Sequence, residues 1–324
     1  MNYAQGQRLW LDFCVEQHID PSIFNERRAQ DFVCFMYQSG TMSGDAADKY
    51  LTAVTALHFE CTGRRLIRSD FVSALLKGFK RKRVKVWRSK LPWSFHHNRW
   101  LVKVTDLKIY DELVLCASVL LGYGGMLRPG EFAKTQWSPL LTYGQLQFHP
   151  NKSAATDLVI TLHCSKTNKI GKPERIIVSC YCKTKVCNVW TPCPVHFMLK
   201  YLSERDKVFP TTSASPLLIK RNGYVVSYQN VRRFLRSKIK CIADASGKEL
   251  NVQGYPPHCL RVGATTDRAR AGDPAYLIEQ KGRWNSKCWK SIYINLDWRD
   301  ISLLTSQGIA DLQRQAKTPF MDGA

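Results

Sequence analysis

The sequence predicts a mainly α-helical chain with a small antiparallel β-sheet, an α+β arrangement in two units. Three observations predict it. Apolar residues recur at helical spacing through about the first 80 positions. A basic stretch ending at Pro92 follows. Beyond Leu101 a second helical series is interrupted by three short segments that read as strands.

In the first unit the periodic sets are Leu9, Trp10, Phe13 and Cys14; Ala29, Phe32, Val33 and Met36; Tyr50, Leu51, Val54 and Leu57; and Phe71, Val72, Leu75 and Phe79. Each set gives one helix. Ser43 and Ser69 stand where N-caps belong, and Gly40 where a helix should stop. Residues 1–90 thus form a helical unit closed by a linker that carries Lys77, Lys80, Arg81, Lys82, Arg83, Lys85, Arg88 and Lys90 and no acidic residue. Such a run repels itself unless a polyanion lies beside it. A solvated face and a nuclear import signal are the other readings of the run, and DNA contact through Lys80, Arg81, Lys82, Arg83 and Lys85 is the expectation.

The second unit, 101–324, opens with an apolar helix from Leu107 to about Tyr123 that ends at Gly124-Gly125, then a short helix started by Pro129. Strands are expected at 146–149, 158–162 and 175–178, the last two joined by the hairpin 165–172. Further helices are expected near 194–203, 229–241, 261–271, 274–281, 287–294 and 301–315. The last carries Ile301, Leu303, Leu304, Ile309 and Leu312 on one apolar face, which must be buried against its own domain or a neighbour.

With 324 residues the chain is long enough for two cores. Its 48 Lys and Arg against 26 Asp and Glu give a formal charge of +22, which points to nucleic acid, because each neutralised phosphate releases condensed counterions. No apolar run of about 18 residues and no charged-then-apolar leader is present, so a soluble, unprocessed chain with no membrane partner is expected. The 12 Cys, most in apolar stretches such as those around Cys14 and Cys34, read as buried free thiols in a reducing compartment. Cys180, Cys182, Cys187 and Cys193 could hold zinc, but they are not paired as two Cys-x-x-Cys knuckles, and the expectation is no metal and no cofactor.

The chemistry-bearing residues are ordered along the second unit. Arg128 stands at a corner, in Leu127-Arg128-Pro129-Gly130-Glu131, and Lys166 at the tip of the hairpin. In Pro257-His258-Cys259-Leu260-Arg261-Val262-Gly263-Ala264 a proline opens a helix whose first turn carries His258 and Arg261 on one face, where a phosphate is favoured. Gly282-Arg283-Trp284 follows, then Tyr293. A lone His-x-x-Arg is more often structural than functional, and so is any single one of 13 Tyr.

Taken together, Arg128, Lys166, His258, Arg261, Trp284 and Tyr293 resemble the catalytic set of the tyrosine recombinases, also called the phage-integrase family. The stretch from His258 to Tyr293 is most similar to Cre and to recombinases of DIRS-like, Ngaro and Crypton mobile elements. The resemblance covers nearly the whole chain and implies an N-terminal helical core-binding (SAM-like) domain followed by a catalytic domain. It implies a metal- and ATP-independent DNA strand transferase that works on double-stranded DNA through a 3′-phosphotyrosine on Tyr293, in a tetramer joined by the C-terminal helix. Arg128 and Arg261 would hold the non-bridging phosphate oxygens, whose growing charge suits guanidinium geometry. His258 would accept the phenol proton, and Lys166 would protonate the leaving 5′ oxygen, with Lys169 and Lys172 close enough in sequence to compete for that role. Trp284 would donate its indole N–H to phosphate, and Glu131 would orient Arg128.

Two neighbouring readings remain: a type IB topoisomerase-like enzyme, and a domesticated DNA-binding protein that lost the chemistry. A zinc-dependent DNA-binding module rests on the Cys cluster alone. Two-metal catalysis wants convergent carboxylates, and none stands at fitting positions. The compartment expected is the nucleus in a eukaryote, otherwise the cytoplasm or nucleoid.

Overall fold

The computed structural model describes residues 3–82, 91–136, 139–163, 173–182, 191–246, 251–284 and Trp289. Contacts divide the chain into two compact units, Met1–Arg88 and Ser89–Ala324.

The first unit is four helices: α1 (Tyr3–Glu16), α2 (Glu26–Gln38), α3 (Gly44–Thr62) and α4 (Asp70–Lys82). Local chemistry sets their ends. Asn25 caps α2 by accepting from the Arg28 N–H, Ser43 caps α3 through Ala46 N–H, and Ser69 accepts from Val72 N–H ahead of α4. Gly63 closes α3 in the left-handed conformation at φ +68°, a region that L side chains rarely adopt. The core is aromatic: Trp10 meets Phe24 and Phe32 edge-on, with centroids 5.1 and 5.3 Å away, and donates its indole N–H to Pro21 O. Truncating Trp10 would cost about 3–5 kcal/mol.

Two expectations shift here. α4 buries Val72, Leu76 and Phe79, while Phe71 is 58% exposed, so the apolar stripe lies one step round from the expected one. Cys34 is exposed, because the helical period turns Phe32, Val33 and Met36 inward and carries position 34 out; Cys61 and Cys241 are exposed too.

In the second unit α5 (Phe95–Val104), α6 (Tyr110–Gly124), α8 (Pro194–Asp206), α9 (Tyr228–Ser246) and α10 (Cys259–Arg270) surround one core; α7 (Pro129–Phe132) and α11 (Ala275–Gly282) are shorter. α6 is buried from Leu113 to Tyr123 almost without interruption, as a helix packed on several sides must be. The sequence reading starts this unit near Leu101 and does not anticipate α5, whose His and Asn residues mask its period; Ser94 and His97 cap it reciprocally. The expected helix from Leu107 begins instead at Tyr110, after a turn in which Lys108 N–H donates to the Asp106 carboxylate.

Strands β1 (Leu146–His149), β2 (Asp157–Leu162) and β3 (Glu174–Ser179) form an antiparallel sheet in the order β1-β2-β3. Leu158 pairs with Val178 and Ile160 with Ile176, so alternate residues of both strands face the core. The hairpin 165–172, the segment 287–294 apart from Trp289, and the segment 301–315 lie outside the described residues.

α10 is fixed on two sides. The Asp267 carboxylate accepts from Tyr123 OH at 2.6 Å and from Phe95 N–H at 2.7 Å, tying α10 to α6 and α5. Burial pushes the Asp267 carboxyl above its ordinary range despite those bonds. One turn earlier Gly263 lies against the backbone of Trp93, where an added Cβ would come within 1.9 Å of the Trp93 carbonyl oxygen. Only glycine fits there.

Candidate active site

After α6 the chain turns sharply, with Met126 at φ +46°, and delivers Arg128 as the N-cap residue of α7. Glu131, one turn on and nearly buried, accepts from Arg128 N–H at 2.7 Å and from its Nη1 at 2.9 Å. The other end of the unit arrives at the same carboxylate. Arg283, held at φ +54° as the C-cap of α11, donates from Nη2 to Glu131 Oε2 at 2.5 Å and forms an ion pair of 3.3 Å with Glu174 at the start of β3.

Arg261, in the first turn of α10, completes the cluster. It is 0% exposed, and donates from Nη1 to Met126 O at 2.5 Å and from Nη2 to Gly282 O. The Trp284 ring covers its flat face at 4.4 Å from the centroid. Trp284 is in turn stacked on Trp289 at 5.6 Å, and Trp289 donates its indole N–H to Glu279 on α11. Gly282 permits this fold-back, because a Cβ there would meet the Trp284 ring at 1.7 Å.

The structure thus brings Arg128, Arg261 and Trp284 together through Glu131, Met126, Gly282 and Arg283. His258 is the N-cap of α10 and half-buried, one turn ahead of Arg261. Lys166 and Tyr293 lie outside the described residues, as do Lys169 and Lys172. Among the described residues, three guanidiniums stand with two carboxylates, Glu131 and Glu174, and burial strengthens the pull of such charges on an anion. Beside it a cleft of about 400 Å³ is lined by Gly130, Glu131, Thr142, Gln145 and His163. β2, the strand that leads into the hairpin sequence, ends at that cleft.

Sequence reasoning gave Arg283 no role, although it stands inside the Gly-Arg-Trp motif. Its conformation and its bond to Glu131 depend on contacts that no local pattern encodes.

The basic residues expected to meet DNA differ among themselves. Lys80 is held by Asp48 at 2.8 Å and Asp45 at 3.5 Å, and the Asp48 hydrogen bond raises its pKa. Burial pushes Asp48 up, but the bonds from Lys80 and Arg68 outweigh it and hold the carboxyl below its ordinary value. Lys80 thus takes part in the first unit's own packing through Asp48 and Asp45. Arg81 and Lys82 are exposed, and Arg83 and Lys85 lie outside the described residues.

A second cluster stands at the far end of β3: Cys180, Cys182, Cys193 and His196 place their ligand atoms within 4.8 Å of one another. Cys187 lies outside the described residues. Among the described residues no helix is long and apolar enough to cross a membrane.

No protein-family model matches the chain, and no curated protein sequence does. Among solved structures it is similar to the integrase of the Tn1549 transposon in complex with transposon right end DNA, at 16% identity and a TM-score of 0.57, over 98% of this chain and 94% of that one. It is similar to the XerH site-specific recombinase bound to palindromic difH substrate, at 12% identity and a TM-score of 0.55, over 87% and 69%. A lambda integrase dimer bound to a COC′ core site matches at 13% identity and a TM-score of 0.51, over 90% and 86%. The helical first unit, the three-stranded sheet and the helices around it are thus those of the site-specific recombinases and integrases, and this chain has the tyrosine-recombinase fold.

Proposed function

We propose that the chain is a site-specific DNA recombinase or integrase that cuts and rejoins DNA through a 3′-phosphotyrosine on Tyr293. One observation carries the reading: Arg128 and Arg261, 133 positions apart by their numbers, are joined into one cluster through Glu131, Arg283, Met126 and Gly282. Charge that builds on the phosphate oxygens during attack needs fixed, pre-oriented donors of this kind.

In this reading DNA entry displaces Trp284 from Arg261, and the two arginines take the non-bridging oxygens. The Tyr293 oxygen forms a bond to phosphorus as its proton passes to His258. The bond from phosphorus to the 5′ oxygen breaks, and Lys166 protonates the departing oxygen. Bond energy is kept in the phosphotyrosine, so rejoining requires no ATP. Strand exchange between two duplexes takes four subunits, with the apolar face of 301–315 docking on a neighbour.

The test is a library of nicked duplexes whose cut fragment diffuses away, incubated with the full chain and run on a denaturing gel. A covalent protein–DNA band is expected. A band without recombinant products from paired sites would favour a topoisomerase-like activity, and binding without any band a DNA-binding protein that lost its chemistry.

A further inference from the structure

We propose that Cys180, Cys182, Cys193 and His196 form a structural zinc site that fastens the end of β3 to the first turn of α8.

Cys180 directly follows β3; Cys193 is the N-cap of α8, and His196 lies in that helix's first turn. His196 Nδ1 stands 3.2 Å from Cys193 Sγ, 3.4 Å from Cys180 Sγ and 3.6 Å from Cys182 Sγ, and the Cys193 and Cys180 sulfurs are 3.5 Å apart. One imidazole nitrogen makes one hydrogen bond along its ring axis, so three sulfurs around it are not a hydrogen-bonding pattern. They are the pattern of four donors around a shared centre. Tetrahedral zinc, with bonds of about 2.3 Å to sulfur and 2.0–2.1 Å to nitrogen, has edges of roughly 3.5–3.8 Å between its ligands. The observed separations fall at that scale without rearrangement. A disulfide would require two sulfurs to close to about 2.05 Å.

The Cys182 backbone N–H donates to Cys180 Sγ at 3.2 Å, and Cys193 sits at the positive end of α8. Three sulfurs and one imidazole select a soft to borderline cation, and zinc is the redox-inert ion of that class. Four protein ligands leave no position for water or substrate, so the site holds structure and performs no reaction.

Its position gives it a purpose. Glu174, at the other end of β3, pairs with Arg283 in the arginine cluster. Cys180 follows Glu174 by six positions of extended chain, a span of about 20 Å. A metal at Cys180 would anchor the strand whose start helps to fix Arg283, and it would clip α8, which packs on α6 and β3.

The test uses the full chain, purified without chelator, supplied with zinc and dialysed, with metal measured per chain by atomic emission. About one zinc per chain is expected. Cys193→Ser and His196→Gln should each fall below about a fifth of that, while Cys187→Ser keeps it. Cobalt in place of zinc should give the intense visible bands of a tetrahedral ion, with sulfur-to-metal charge transfer that weakens in Cys182→Ser. Circular dichroism on each variant identifies any that fail to fold, and the wild-type cobalt spectrum stands independently of them. Wild-type protein without zinc, an octahedral cobalt spectrum, or loss of metal in Cys187→Ser with retention in His196→Gln would each overturn the assignment.

Discussion

The Glu131 carboxylate accepts from the Arg283 guanidinium at 2.5 Å across 152 positions of chain, while its other oxygen holds Arg128 at 2.9 Å. All three side chains are largely buried. Removing the shared anion takes from Arg128 the carboxylate that holds it and leaves Arg283 with Glu174 alone, which costs about 3 kcal/mol in such settings. Glu131→Gln should lower unfolding stability by that order, and should depress covalent adduct formation more than DNA affinity. Denaturant titration beside an adduct assay measures both, and a loss below about 0.5 kcal/mol would mean that the bridge holds nothing.

Gly263 makes a sharper structural test. Its missing side chain lets α10 touch the Trp93 backbone, and a methyl group there would overlap the Trp93 carbonyl. Gly263→Ala should destabilise by about 3 kcal/mol or more, beyond ordinary overpacking. A thermal melt within a degree of wild type would show that α10 sits elsewhere.

The basic stretch divides into residues with opposite expectations. Arg81→Ala and Lys82→Ala should each reduce the slope of log affinity against log salt by up to about 0.9 and leave stability alone. Lys80→Ala should leave the slope unchanged and cost about 0.5 kcal/mol through its lost contacts with Asp48 and Asp45. Equal slope losses at all three positions would place Lys80 on the DNA as well.

Acid should weaken the fold through His97. Burial, and secondarily the charge of His96, lower its pKa from 6.5 to about 4, and Ser94, Tyr255 and Trp93 surround the ring. The folded state then binds fewer protons than the unfolded one. Its stabilising share is present above pH 6.5 and is lost as the pH falls from 6.5 towards 4, by about 3 kcal/mol in all. Stability measured across that window should be flatter in His97→Gln than in wild type, and parallel curves would rule the assignment out.

What the sequence made legible followed from period and punctuation. The four helices of the first unit were readable because aromatic residues recur at helical spacing and Ser43 and Ser69 stand at helix starts. α5 was not, since Phe95-His96-His97-Asn98 carries no apolar stripe, and Trp93, which donates to Asn98, packs against Cys259 and Gly263, distant in sequence. Arg128, Arg261 and Trp284 were readable as motifs, but not the Glu131 to Arg283 bridge, which depends on a left-handed residue at the end of α11. Nor did spacing reveal that Arg261 lies beneath Trp284. His196 escaped notice because the thiols were compared with paired Cys-x-x-Cys knuckles. The available signal was Cys193-Pro194-Val195-His196, where a helix start brings a thiol and an imidazole three apart onto one face.

The central claim is that Tyr293 becomes joined to DNA, and the most direct measurement compares wild type with Tyr293→Phe on a nicked trapping duplex, with affinity followed in parallel. The variant should bind DNA with an affinity within about twofold of wild type, since one hydroxyl and no phosphate contact is lost, and should form no covalent band. Peptide mapping of the wild-type adduct should place the nucleotide on Tyr293. An adduct that persists in Tyr293→Phe, or that maps to the exposed Tyr276, would contradict the account.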